Sequence, residues 1–433
     1  MSRQFLRQRL PVTRRQVFMS STVLALLGAT ACAGRRAPAA TWTPRPYRLY
    51  QGDTPTPKRL LPLDPLTLAD LPAVPSIPLD APLGAFSADG STLAEIADAP
   101  NSAASTIIVR RGPALAEVAR FPPPALVGDV RLSRDGNTLV FQHQQQIAGG
   151  HLQPDIWYVL DAASGRLRTT VRAAEANAWS VWWIDPAATR LYQPVVTLSM
   201  ADSAPKPLRL VVYDLTSGAV AGRLTLPHVL AGSWRPGTVV NGDPVVQQQY
   251  PALALTAAGG ALAVYQPDPA ALTVIDAATL TVQRTLARTV ADAVLAAVLG
   301  ALPFFPHRAE AKAVTGTNLR ALAAPDGRSL YVWGEVNRLA SDGSPVYGSF
   351  GLKRIDLARG TVAAQALPDA RLFSVVVTPD GRSLYTYEAA TAATLSLGES
   401  DWPALLRRVD ASTLATTAQR RFTGLHTIRV RPV

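Results

Sequence analysis

Along residues 45–433 the apolar positions come in short runs, many alternating with polar residues, and Asp, Gly, Pro or Ser cuts each run off. Period-two runs bounded by turn residues predict β-strands. The runs fall into two recurring phrases. In the first, an Asp-Gly turn feeds an apolar strand. Ala324-Pro325-Asp326-Gly327-Arg328-Ser329-Leu330-Tyr331 returns at Thr378-Pro379-Asp380-Gly381-Arg382-Ser383-Leu384-Tyr385, with looser copies at 87–93 and 133–139. In the second, a strand ends on Asp, turns, and leads into another strand, with Asp161, Asp214, Asp276, Asp356 and Asp410 as the turn residues. An Asp side chain accepts hydrogen bonds from the turn backbone, and Gly or small residues give that backbone its freedom.

Laid side by side, the phrases define four-stranded antiparallel units at about 81–122, 127–173, 178–227, 250–287, 318–368 and 371–422. Units three and four lack the Asp-Gly phrase and carry Asp185-Pro186-Ala187-Ala188 and Ala257-Ala258-Gly259-Gly260 in its place. A lone strand, His426-Thr427-Ile428-Arg429-Val430, ends the chain. At the other end Tyr47-Arg48-Leu49-Tyr50 matches a second strand, and the stretch from Arg59 to Leu68 echoes the second phrase. One terminal strand added to three N-terminal ones completes a further unit, which removes the free sheet edges.

These phrases and their spacing resemble the YVTN-type and WD-repeat-like bacterial β-propellers, across nearly all of 45–433. The resemblance implies an all-β, seven-bladed propeller with a composite closing blade. A β-sandwich array is the competing fold, but it gives the composite unit no purpose. One stretch breaks the repeat. Residues 288–317 place Val290, Val294, Leu295, Val298, Leu299 and Leu302 at helical spacing, so a helical insertion is expected there. It would cover the propeller's own face, dock a partner, or touch a bilayer.

Apolar residues make up 48% of the chain and charged residues 17%, enough for a sizeable core. The formal charge is +11, but Arg3, Arg7, Arg9, Arg14 and Arg15 all lie in the first 31 residues. The remaining surplus is spread thinly, without a basic run interleaved with aromatics, so nucleic-acid binding is not expected.

That basic start leads into Val17-Phe18-Met19-Ser20-Ser21-Thr22-Val23-Leu24-Ala25-Leu26-Leu27 and then small residues before Cys32, the form of an export signal. Arg14 and Arg15, followed by Gln16-Val17-Phe18, resemble a twin-arginine export motif. Ala29-Thr30-Ala31-Cys32 resembles a bacterial lipobox, which implies a signal at 1–31 and a diacylglyceryl group on the Cys32 sulfur. A cleaved soluble signal and an uncleaved anchor are the other readings. All three put the body outside the cytoplasm: at the outer side of the cytoplasmic membrane, in the periplasm or at the cell surface. Residues 32–44 read as a flexible tether rich in Ala, Pro, Thr and Arg.

Cys32 is the single cysteine, so no internal disulfide and no thiolate metal site are available. No helical histidine pair, P-loop or nucleophile elbow occurs, and no metal or cofactor is expected. Several second strands end on an aromatic and an acceptor-bearing residue. The polar members are Gln51, Gln142, Gln193, Gln266, Glu335 and Glu388, which ring closure would gather at one rim. They read either as a ligand cup for a protein or small polar molecule, or as ordinary solvated strand ends. The principal expectation is a membrane-held binding or scaffolding module. The alternative is a lactonase-like hydrolase or isomerase that uses His143, Glu335 and Glu388 as acid–base groups. The oligomeric state is left open.

Overall fold

The computed structural model describes residues 47–432 except 54–58, 79–82, 98–105, 126, 144–146, 149–150, 178, 180, 197–203, 236–238, 241–242, 268–269, 288–313, 340–344, 389–402 and 424–426. All described residues lie in the unit Trp42–Val433. The export signal, Cys32, the tether and most of the insertion fall outside them. Every regular element among the described residues is a strand, and no helix occurs there.

Turn chemistry sets the strands in place. Ser87 Oγ donates to Asp89 Oδ1 (2.6 Å) and accepts the Thr92 N–H (3.0 Å). Ser133 repeats this with Asp135 and Thr138 (2.6 and 2.9 Å), and Thr378 with Asp380 and Ser383. Where the Asp-Gly phrase is missing, Asp185 accepts the Thr189 and Arg190 N–H groups (2.7 and 2.9 Å) in its stead. In the second phrase one carboxylate oxygen accepts the N–H groups two and three residues on, at 2.7–3.1 Å, in all five copies. The residue four on, Gly165, Gly218, Leu280, Gly360 or Leu414, takes a positive φ of 57–75°. Asp64 makes the same turn, ending on Leu68 at φ 64°, so the N-terminal echo of the phrase is a structural copy of it.

The result is an all-β propeller. Five blades stand as separate four-stranded antiparallel sheets, and one of them is the composite, ordered Ile77–Pro78, Arg59–Leu63, Tyr47–Asp53, Thr427–Pro432. The expected count of seven separate blades is not met. The strands of units three and five instead form the two ends of one nine-stranded sheet. The physical reason is a strand between units, Val246–Tyr250. It pairs antiparallel with Gly232–Trp234, the end of the long strand Val220–Trp234, and parallel with Val314–Asn318. Backbone hydrogen bonding therefore runs on where a gap was expected. Residues 314–317, assigned to the helical insertion from the sequence, open the strand Val314–Ala323.

The core lies between consecutive units. Tyr50, Leu60 and Leu93 join the composite blade to the 83–121 blade, whose Ile107 and Val109 meet Leu139 and Phe141. Trp157, Trp182 and Leu191 carry the core onward, followed by Tyr192 with Leu262, then Leu272 with Leu330. Tyr331 packs with Leu384, and Tyr385 and Leu406 return to Leu49 and Ile428, which closes the circle.

Charged groups on the last strand lock that closure. The buried Arg431 guanidinium donates to the carbonyls of Gly90 (3.0 Å), Gly112 (2.8 Å) and Pro113 (2.9 Å) in the next blade. Buried Glu95 pairs with Arg110, and the Arg429 charge acts on it from the last strand. Burial lowers Arg429 to about 10, so it stays charged at neutral pH. A buried charge matched this way costs several kcal/mol when its partner is lost, which ties the two chain ends together.

Candidate functional site

The candidate site lies at the end of the ring away from the Asp-Gly turns. There the hairpin Ser329–Leu339 and Pro345–Asp356 outruns the blade, because its pairing continues from Glu335↔Ser349 to Leu339↔Pro345. Val314–Asn318 lies beside it, followed by Val246–Tyr250 and Gly232–Trp234, so five strand segments form a continuous polar extension of the sheet. A bulge at Gly334 (φ 148°) marks its start. Bulges re-aim side chains at sheet rims.

Paired residues share a face, which sorts the extension into two. One face continues through Val336 and Leu319 into the core shared with the 252–287 blade. The other carries Asn318, Glu335 and Asn337 and turns toward the 372–423 blade, where Arg371 Nη2 donates to Glu335 Oε1 (3.1 Å). Phe373, on the innermost strand of that blade, sits at a bulge between Leu372 and Ser374 and is 46% exposed. Arg320 Nη1 donates to its carbonyl (3.0 Å) and the guanidinium carbon lies 5.9 Å from the ring centre. Tyr387 meets Phe373 edge-on at 6.1 Å.

The residues expected at the rim divide into two groups. Gln51, Gln142, Gln193 and Gln266 are 1–5% exposed and lie within the protein, not along an open cup. Strand alternation turns each of them inward. Gln142 and Gln193 are brought together on one carboxylate, that of Asp155. Gln142 Nε2 donates to its Oδ1 (2.9 Å), Gln193 Nε2 to its Oδ2 (2.7 Å), and Tyr213 donates to Gln193 Oε1 (3.2 Å). Gln266 Oε1 accepts the Leu230 N–H (2.9 Å). Burial pushes Asp155 up to about 6, against the two amide bonds that favour its anion.

The second group is partly exposed. Glu335 pairs with Arg371, and Glu388 with Arg407 (2.6 Å). Each carboxylate thus has an arginine of its own, on separate blades. His143 packs edge-on against Tyr158 at 6.5 Å, and burial lowers its pKa, which leaves it neutral at pH 7. Cys32, Arg14 and Arg15 lie outside the described residues. Trp182 is fully buried against Trp157, and Trp179 packs on Tyr250, so these aromatics serve the inter-unit core.

Sequence reasoning missed Asp155 and Phe373. Asp155 stands in a loop, and its partners come from two different units. Phe373 occupies an apolar strand position, and only the bulge turns it outward. At the opposite end of the ring, Asp89, Arg134, Asp135, Pro186 and Ala187 line an open hollow of about 480 Å³. Among the described residues no group of three or more His, Cys, Asp or Glu is placed to hold a metal ion, and no helix is long and apolar enough to cross a membrane.

No protein-family model matches the chain, and no curated protein does. Solved structures do. The β-propeller domain of Cps50 (Swd1) from Myceliophteria thermophila is 12% identical at a TM-score of 0.41, covering 80% of this chain and 87% of that one. A hydrazine synthase from Kuenenia stuttgartiensis is 13% identical at a TM-score of 0.42, covering 77% and 78%. A eukaryotic initiation factor is 12% identical at a TM-score of 0.40, covering 89% and 99%.

Proposed function

We propose that the protein is an exported, lipid-anchored β-propeller that binds a protein or ligand on the end of the ring bearing the sheet extension. The observation that carries this reading is the extension itself. Five strand segments continue past the blades, and one face of the extension sets Asn318, Glu335 and Asn337 beside exposed Phe373. Closing the ring needs none of this surface, whereas a recognition face needs both an apolar anchor and oriented polar groups. The anchoring half of the proposal rests on the sequence of the leader and on Cys32. Membrane attachment would hold the ring at the surface through the acyl chains and the 32–44 tether.

The two halves separate in one experiment. A photo-crosslinking residue is placed at the part-exposed Leu339, on the face that carries Glu335 and Asn337, or at the exposed Arg421 on an outer strand, in cells that make either the natural leader or Cys32→Ala. The proposal expects a discrete crosslinked partner from position 339 and not from 421, together with release of the Cys32→Ala protein into the soluble fraction. Identical crosslinks from both positions would overturn the binding face. Full membrane retention of Cys32→Ala would overturn the lipid anchor.

A further inference from the structure

We infer that the face between the sheet extension and the 372–423 blade is a binding site for an acidic carbohydrate, one that carries a carboxylate. The inference rests on the binding reading above and names its ligand class. Phe373 offers a half-exposed ring on a bulge, in edge-on contact with Tyr387. A flat aromatic platform suits the C–H face of a sugar ring, which has both apolar and polar sides. The sheet face that meets this blade carries the planar polar groups of Asn318, Glu335 and Asn337. Asn337 lies on the face that carries Glu335, opposite Gly316 in the sheet. Asn318 and Glu335 lie opposite each other one row nearer the blade, on the same face.

Charge fixes the ligand's sign. Arg371 is matched by Glu335, whereas Arg320 donates to the Phe373 carbonyl and faces its ring without a carboxylate. The cluster therefore carries one positive charge more than it neutralises, and its source is a guanidinium, whose fork suits a carboxylate. An aromatic platform, amides and one uncompensated arginine match a uronic-acid unit better than a neutral sugar. They also match it better than an acidic peptide, which has no ring face to lay on Phe373.

The test is calorimetric titration of the full-length protein with three probes: an oligogalacturonate hexamer, neutral maltohexaose and hexaglutamate. Oligogalacturonate is expected to bind, with maltohexaose at least about tenfold weaker and hexaglutamate silent. Phe373→Ala should weaken oligogalacturonate by about tenfold, the worth of one aromatic contact. Arg320→Gln, at an exposed position, should bring the two sugars to equal affinity. No binding of oligogalacturonate, binding of hexaglutamate alone, or an unchanged Phe373→Ala titration each overturns the inference. Position-specific crosslinking at 339 that persists without sugar binding would leave the binding face standing and remove only its ligand class.

Discussion

A carboxyl group enclosed between two glutamine amides, with no cation among its hydrogen-bond partners, makes Asp155 a residue whose protonation bears on stability. Its folded pKa, raised to about 6, exceeds the ordinary value of 3.8, so the folded state holds a proton that the unfolded chain releases earlier. The stabilising contribution is complete below the unfolded value and is lost as pH rises through about 6. A shift of that size corresponds to roughly 3 kcal/mol. Asp161 and Asp410 run the other way. Arg168 holds the first, and Ser412 the second, down to about 2, so their contribution is present above 3.8 and fades only as pH falls toward 2. Asp155→Asn isolates the first effect, because the Gln142 amide can turn to accept where it had donated. Urea unfolding of both proteins from pH 4.5 to 7.5 should show the variant gaining on the natural protein by roughly 2 kcal/mol as pH rises. A constant difference across that range would exclude Asp155 as the titrating group. None of this was legible in the sequence. Gln142 and Gln193 were visible as strand-end polar residues, but the acid that gathers them is set by how two blades meet, which local patterning does not encode.

Among the elements, Val246–Tyr250 does most to change the architecture, since it fuses two units into one sheet. Its sequence, Val-Gln-Gln-Gln-Tyr, has no period-two contrast, and its partner strand lies far along the chain in parallel register. Those are the circumstances in which a hydrophobic pattern cannot announce a strand. The turn phrases were legible for the opposite reason: each Asp bonds its own backbone within a few residues, so the signal is local. The fusion depends on close approach at Gly316. A Cβ added there would stand 1.8 Å from the Gln248 carbonyl oxygen, and its φ of 111° disfavours side chains. Gly316→Val should therefore separate Val246–Tyr250 from Val314–Asn318 at a cost of about 2–4 kcal/mol. Hydrogen exchange should then speed up at Gln247 to Gln249 while the 83–121 blade stays protected. Uniform acceleration in all blades would mean that the strand supports the whole ring and not only this fusion.

For the whole molecule, both chain ends enter one blade. Strand Tyr47–Asp53 pairs with Thr427–Pro432 from Tyr47↔Pro432 to Gly52↔Thr427, and Arg431 and Arg429 bind that blade to its neighbour. The sequence carried this plainly, as a surplus strand at one end and an incomplete unit at the other. It did not carry the number of separate sheets, which depends on backbone pairing between units. The same closure gives the recognition face its rigidity: Phe373, Arg320 and Asn337 keep their places because neighbouring units hold one another around the full circle. Closure is also directly measurable, since the folded body has no cysteine of its own. Cysteines at Gly52 and Thr427, in a Cys32→Ala background, should oxidise to an intramolecular disulfide. The linked chain should migrate faster on a non-reducing gel and unfold with about 4 kcal/mol of added stability. A folded protein in which that disulfide fails to form would contradict the closed ring.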